Sequence, residues 1–108
     1  MASPGEGAPV GAPFEVVDDA GAHRLVARAG AEIAGQLTYA RTADGALDLL
    51  HTTVRPSWRG RGVGEVLVRA ALARARQEGV RVIPTCPFVA AYLDGHPEER
   101  DLLEPAPR

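Results

Sequence analysis

The sequence predicts a single α/β (α+β) domain built on a mixed sheet, in the order β-β-β-β-α-β-α, and three observations carry that prediction. Short apolar runs separated by turn residues fill the stretch from Phe14 to Val54. A helical period takes over after Pro56 and stops at Gly79. A further short apolar run follows, and then an apolar segment opened by Pro87.

Residues 1–13, MASPGEGAPVGAP, are almost wholly Gly, Pro and small side chains. That composition buries too little apolar area to offset ordering entropy, so a flexible tail is expected there and a domain over residues 14–104. Phe14 to Val17, Leu25 to Ala29, Ile33 to Tyr39 and Leu47 to Val54 are apolar runs, parted by Asp-Asp-Ala-Gly, Ala-Gly and Asp-Gly breaks. Four consecutive strands joined by tight turns make an antiparallel meander. By the period of two, His51 shares a face with Leu47, Leu49 and Thr53.

In the long helix, Val63, Val66, Leu67 and Ala70 fall at i, i+3, i+4 and i+7, while Glu65, Arg69 and Arg76 fall on the opposite face. Glu65 and Arg69 are spaced for an ion pair along that outer face. Gly79 is placed to end the helix. Val80 to Ile83 reads as a fifth strand, returned beside the fourth by a right-handed crossover. Pro87 at the first helical position starts a short helix over Phe88 to Leu93, stopped by Gly95 and Pro97. There is no internal repeat and no second domain.

Twelve basic residues against 14 acidic ones leave a net charge of -2, which gives no broad electrostatic reason for a nucleic-acid or anionic-membrane partner. All twelve are Arg. Guanidinium groups suit bidentate contacts to phosphate or carboxylate, although a genomic base-composition bias explains the same fact. No apolar run approaches the roughly 20 residues that span a bilayer, and the N-terminus lacks the basic-then-apolar pattern of a secretory signal. A cytoplasmic protein is therefore expected. Cys86 is the single cysteine, which excludes an intrachain disulfide, and the three histidines show no metal-ligand spacing with it, so no metal is expected.

The segment Arg59-Gly60-Arg61-Gly62-Val63-Gly64 lies between an apolar strand and an amphipathic helix. Unpaired N–H groups of a first helical turn, reinforced by the helix dipole, can meet phosphate oxygens there. Glycine permits the close approach, and two arginines add charge-assisted contacts. A plain flexible connection has the same glycine count. There is no Gly-Lys-Ser/Thr ending of a P-loop, and the spacing is not the G-x-G-x-x-G of a dinucleotide fold, which would also need more β-α-β units.

With Arg59, Gly62 and Gly64, the segment fits the pattern Arg or Gln, two residues, Gly, one residue, Gly or Ala. In its place between a fourth strand and a helix, it resembles the signature of the GNAT acetyltransferase superfamily. The run Cys86-Pro87-Phe88-Val89-Ala90-Ala91-Tyr92, followed by His96-Pro97-Glu98, is similar to a small single-domain GNAT-like subgroup that lacks the helices between the first two strands. This resemblance covers about Phe14 to Leu103. It implies an N-acetyltransferase that binds acetyl-coenzyme A through the amides of Arg59, Gly60, Arg61, Gly62, Val63 and Gly64, with Val54 pairing with the pantetheine arm, and that acetylates an amine acceptor. A module that binds coenzyme A, or another protein, with little or no turnover is the alternative.

Acetyl transfer to an amine needs a base, an oxyanion donor and an acid for the leaving thiolate. With Pro87 at the first helical position, Cys86 becomes the N-cap, where a helix's positive end favours the nucleophilic thiolate; a small buried hydrophobe is the other reading. His51, on a strand adjacent to the fifth, is a candidate base or an aid to Cys86, or else a structural histidine. Many GNAT enzymes place a tyrosine acid where Tyr92 falls, and an aromatic packing stripe with Phe88 is the competing reading.

Overall fold

The computed structural model describes residues 14–103; the tail expected over residues 1–13 and the final residue of the expected domain, 104, lie outside them. A five-stranded sheet is laid out in chain order as β1 (Glu15–Asp19), β2 (Arg24–Ala29), β3 (Glu32–Arg41), β4 (Leu47–Val54) and β5 (Val82–Ile83). The first four strands pair antiparallel, and β5 joins β4 in parallel after the helix α1 (Val63–Glu78). A second helix, α2 (Pro87–Asp94), and a 3-10 segment over Pro97–Leu103 complete the order β-β-β-β-α-β-α.

The fifth strand is shorter than the expected Val80 to Ile83. Gly79 takes a left-handed φ of 72° and closes α1, and the Val80 amide donates back to the Ala75 carbonyl at 3.0 Å. Val80 therefore belongs to the helix cap. The chain meets β4 only from Arg81, whose carbonyl accepts from the Leu47 amide at 3.0 Å.

Helix α1 is buried on a wider stripe than one amphipathic face requires. Val63, Val66 and Leu67 are buried as expected, but so are Val68 and Leu72, because α1 packs against the sheet and also against α2. Leu37 and Leu49 from the sheet, Leu67 and Leu72 from α1, and Leu93 from α2 are among the largest fully buried side chains, and they share one core cluster. Among the described residues, Glu65 and Arg69 form no ion pair. The i,i+4 pair on α1 is Arg74 with Glu78, and it belongs to a chain of contacts. Arg74 also meets Asp18 of β1, and Arg41 of β3 reaches Glu78 at 2.6 Å. Hydrogen bonds from Arg41 and then Arg74 hold the Glu78 carboxyl down at about 2. Such solvent-facing pairs stabilise by less than about 1 kcal/mol each, so their role is to fix the far end of α1 on the sheet.

The near end of α1 is set by a close approach. At Gly35 of β3, an added Cβ would lie 2.7 Å from the Thr53 carbonyl oxygen and 3.0 Å from Cγ1 of Val63. The first contact is with backbone, which cannot swing aside. Gly35→Ala is therefore expected to lower stability by about 1–3 kcal/mol, read as a fall in midpoint on thermal unfolding. An unchanged midpoint would mean that β3, β4 and the start of α1 are not packed this tightly.

Candidate active site

The fourth strand changes face part-way along. Thr38 pairs with His51 but Tyr39 pairs with Leu49, so Leu50 is one residue too many on β4 and makes a bulge. Residues directly opposite in an antiparallel pair share a face, and the bulge shifts the alternation by one. Before it, Leu47 and Leu49 point into the core. After it, Thr52, opposite the fully buried Leu37, and Val54, packed on the core, take the inner face. His51, opposite Thr38, and Thr53, opposite Gln36, are exposed on the outer face. The expectation that His51 lies with Leu47 and Leu49 is thus corrected: the extra residue turns it away.

Beyond the bulge, β4 also loses its outer neighbour. The fifth strand pairs only Val82 with Leu47 and Ile83 with Asp48, and the last link on that side is the Cys86 amide donating to the Leu49 carbonyl at 2.8 Å. From Leu50 to Val54, the edge of β4 facing away from β3 has no strand beside it among the described residues. An extended chain carrying amide groups has a ready-made partner there.

One end of this open edge runs into the glycine loop. A 3-10 turn over Pro56–Trp58 leads to Arg59, then Gly60 at φ 77° and Gly62 at φ 82°, both in the left-handed region that favours glycine. Gly62 is the N-cap of α1 and no side chain caps this end. The first helical bond is Val66 to Gly62, so the amides of Val63, Gly64 and Glu65 precede the ladder. A Cβ at Gly60 or Gly62 would meet no protein atom within 4 Å, so both face open space. Arg61 lies over the Trp58 ring at 4.9 Å, and Phe14 meets the same ring edge-on at 5.5 Å.

The ion pairs among the described residues are elsewhere. Arg24, Arg41, Arg74, Arg76, Arg81 and Arg100 each bind a carboxylate. Among the described residues Arg28 and Arg69 have no such partner, and neither do Arg55, Arg59 and Arg61, which fall within seven positions around Trp58. A local excess of positive charge therefore flanks a helix N-terminus in a chain of net charge -2. Arg55 carries no motif signal and sequence reasoning passed over it.

At the other end of the open edge is Cys86, the N-cap of α2 with Pro87 after it. The residue is 4% exposed, and its Sγ lies 3.5 Å from Thr52 Oγ1. Burial opposes ionisation of the thiol, but the Thr52 hydroxyl and the nearby amides of Val89, Phe88 and Thr52 outweigh it and pull the pKa below its ordinary value. The amides act at close range without closing a capping hydrogen bond. The side chain brought to Cys86 is Thr52, the residue that the bulge turns inward in place of His51. A period-two reading carried through Leu50 cannot find it.

Tyr92 is buried on α2 and stacks on His96 at 3.9 Å between ring centres, with the His96 ring nitrogen Nδ1 2.8 Å from the Tyr92 carbonyl oxygen. Burial raises its pKa, with Arg69 acting against and Glu99, Glu65 and Glu98 adding. Those charges belong to α1 and the last 3-10 segment, whereas Cys86 faces Thr52. Tyr92 and Cys86 are thus held by different neighbours. Among the described residues no group of three or more His, Cys, Asp or Glu side chains is gathered to hold a metal ion, and no helix is long and apolar enough to cross a membrane.

Comparison with known proteins agrees with this architecture. Residues 24–102 match the family model described as GCN5-related N-acetyl-transferase. Protein NATD1 of Gallus gallus is 30% identical over 88 residues, covering 81% of this chain and 80% of that protein. The NATD1 protein of Bos taurus is 31% identical, covering 81% and 78%. Among solved structures, a GCN5-like protein from Staphylococcus aureus superposes with a TM-score of 0.65 at 22% identity, covering 89% of this chain and 93% of its own, a likeness of fold. A GNAT-family protein from Desulfovibrio desulfuricans gives a TM-score of 0.51 at 26% identity, over 55% of this chain and 39% of that one. The open edge of β4, the glycine loop opening α1 and these matches lead to one conclusion: the chain belongs to the GCN5-related N-acetyltransferase family.

Proposed function

We propose that the protein binds acetyl-coenzyme A along the open edge of β4 and transfers the acetyl group to a primary amine. The observation that carries this reading is the continuity of the edge: it begins at an uncapped, arginine-flanked helix N-terminus and ends at a thiol whose ionisation is favoured. The residues present fit such a ligand. Gly60 and Gly62 leave room for phosphate oxygens, the amides of Val63 and Gly64 point along the α1 axis toward them, and Arg59, Arg61 and Arg55 supply charge. Val54 and its strand neighbours offer backbone groups to the amides of the pantetheine arm.

When bound, the thioester supplies an activated acetyl group. In this reading the Cys86 thiolate, held by the Thr52 hydroxyl and the α2 amides, forms a bond to the acetyl carbon as the bond to the coenzyme A sulfur breaks. Coenzyme A leaves as a thiolate and takes up one proton, equal to the one Cys86 released on ionising. An amine then takes the acetyl group, and its proton returns to the Cys86 sulfur. His51 stands on the outer face of the same strand, where it can receive a proton from an acceptor arriving on that side, and Tyr92 is the candidate acid for the departing thiolate.

The test is release of free thiol from acetyl-coenzyme A with a panel of small amines and lysine peptides. Thiol release that depends on an amine supports the reading. Saturable binding with neither release nor an acetylated protein would reduce the function to a coenzyme A-binding module.

A further inference from the structure

Phe88 is 43% exposed, and the only other large apolar residue exposed among the described residues is Val17, at 37%. Its surroundings are specific. Phe88 follows Cys86 and Pro87 at the start of α2, and its ring tip lies on Gly64 in the first turn of α1, where an added Cβ would stand 2.8 Å from Cζ. The ring thus leans on the glycine loop at one side and stands two residues from the Cys86 thiol at the other. It contributes little to the core while it faces water, and it would be stabilised by an apolar cover. The open edge of β4 supplies the path of that cover, because any ligand that joins the loop to Cys86 has to pass the ring.

Resting on the reading of the site given above, we propose that Phe88 is the apolar wall for the pantetheine arm and sets how the thioester lies against Cys86. The dimethyl group of the arm is the part of the ligand with the matching chemistry. The nucleotide end, held by amides and arginines, makes no demand on the ring.

The proposal is tested by calorimetric affinities of the full chain for coenzyme A and for 3′,5′-ADP, which shares the adenosine, the 3′-phosphate and the first 5′-phosphate and lacks the second 5′-phosphate and the arm. Phe88→Ala is expected to weaken coenzyme A by about tenfold and leave 3′,5′-ADP unchanged. Phe88→Leu, which keeps an apolar side chain, should recover most of the loss. Gly64→Ala, whose methyl group displaces the ring, gives the second variant and should also weaken coenzyme A; circular dichroism checks that each variant is folded. Equal losses for the two ligands would overturn the proposal, since Phe88 would then only shape the loop. So would an unchanged affinity for coenzyme A. If the parent protein binds neither ligand, the reading of the site itself fails and the wall falls with it.

Discussion

Gly62→Val is expected to abolish coenzyme A binding at concentrations that saturate the parent protein, a loss of at least about a hundredfold, and to lower stability by about 1–3 kcal/mol. Two physical effects combine. Gly62 sits at φ 82°, where a β-branched side chain is strained regardless of space, which accounts for the stability term. A Cβ there meets no protein atom within 4 Å, so the added bulk enters the space that the proposed phosphate approach requires. Gly62→Ala separates the two, because it carries the strain with far less bulk. Its affinity should fall less than that of the valine variant while its stability falls by roughly 1–2 kcal/mol. Equal affinities in the parent and a folded Gly62→Val protein would contradict the placement of the ligand.

The second large effect concerns the thiol. After incubation with acetyl-coenzyme A without an amine, the intact mass of the protein should rise by one acetyl group, and Cys86→Ser should abolish that rise completely. A serine hydroxyl in the same place has no accessible ionised form near neutral pH, whereas the Cys86 thiol is shifted toward ionisation. Thr52→Val removes the hydroxyl 3.5 Å from the sulfur at nearly constant volume. The direction follows from the causes: with one stabilising contact gone and burial unchanged, the thiol pKa rises. Acetylation should therefore need a higher pH in this variant, read as a shift of the rate profile to the alkaline side. An acetyl adduct that survives in Cys86→Ser would move the chemistry away from this residue.

Much of this architecture is legible from residue order. Gly and Asp-Gly breaks mark the meander, the helical period from Val63 marks α1, and Pro87 with Gly95 brackets α2. Local chemistry sets those features, so a single sequence carries them. The unread parts are set by tertiary packing. The bulge at Leu50 leaves no local sign, since Leu47, Leu49 and His51 alternate without a break, and yet one extra residue exchanges His51 for Thr52 beside the thiol. Burial of Val68 follows from α1 packing against the sheet, α2 and the last 3-10 segment together, which one amphipathic stripe cannot announce. Phe88 reads as half of an aromatic stripe with Tyr92, but its ring meets Gly64, and Tyr92 stacks on His96 instead. The glycine loop is legible from its spacing, whereas Arg55 belongs to no motif and stands out only by its place beside Arg59 and Arg61 at the start of α1.

The central claim is that one ligand spans the glycine loop, the open edge of β4 and Cys86, and amide resonances of the labelled protein titrated with acetyl-coenzyme A test it most directly. The predicted result is a saturable set of shifts at Thr52 to Val54, Gly60 to Gly64 and Cys86 to Val89, with little change near Asp19 and Arg24 on the far strands. No shifts at millimolar ligand, or shifts confined to the far strands, would contradict it.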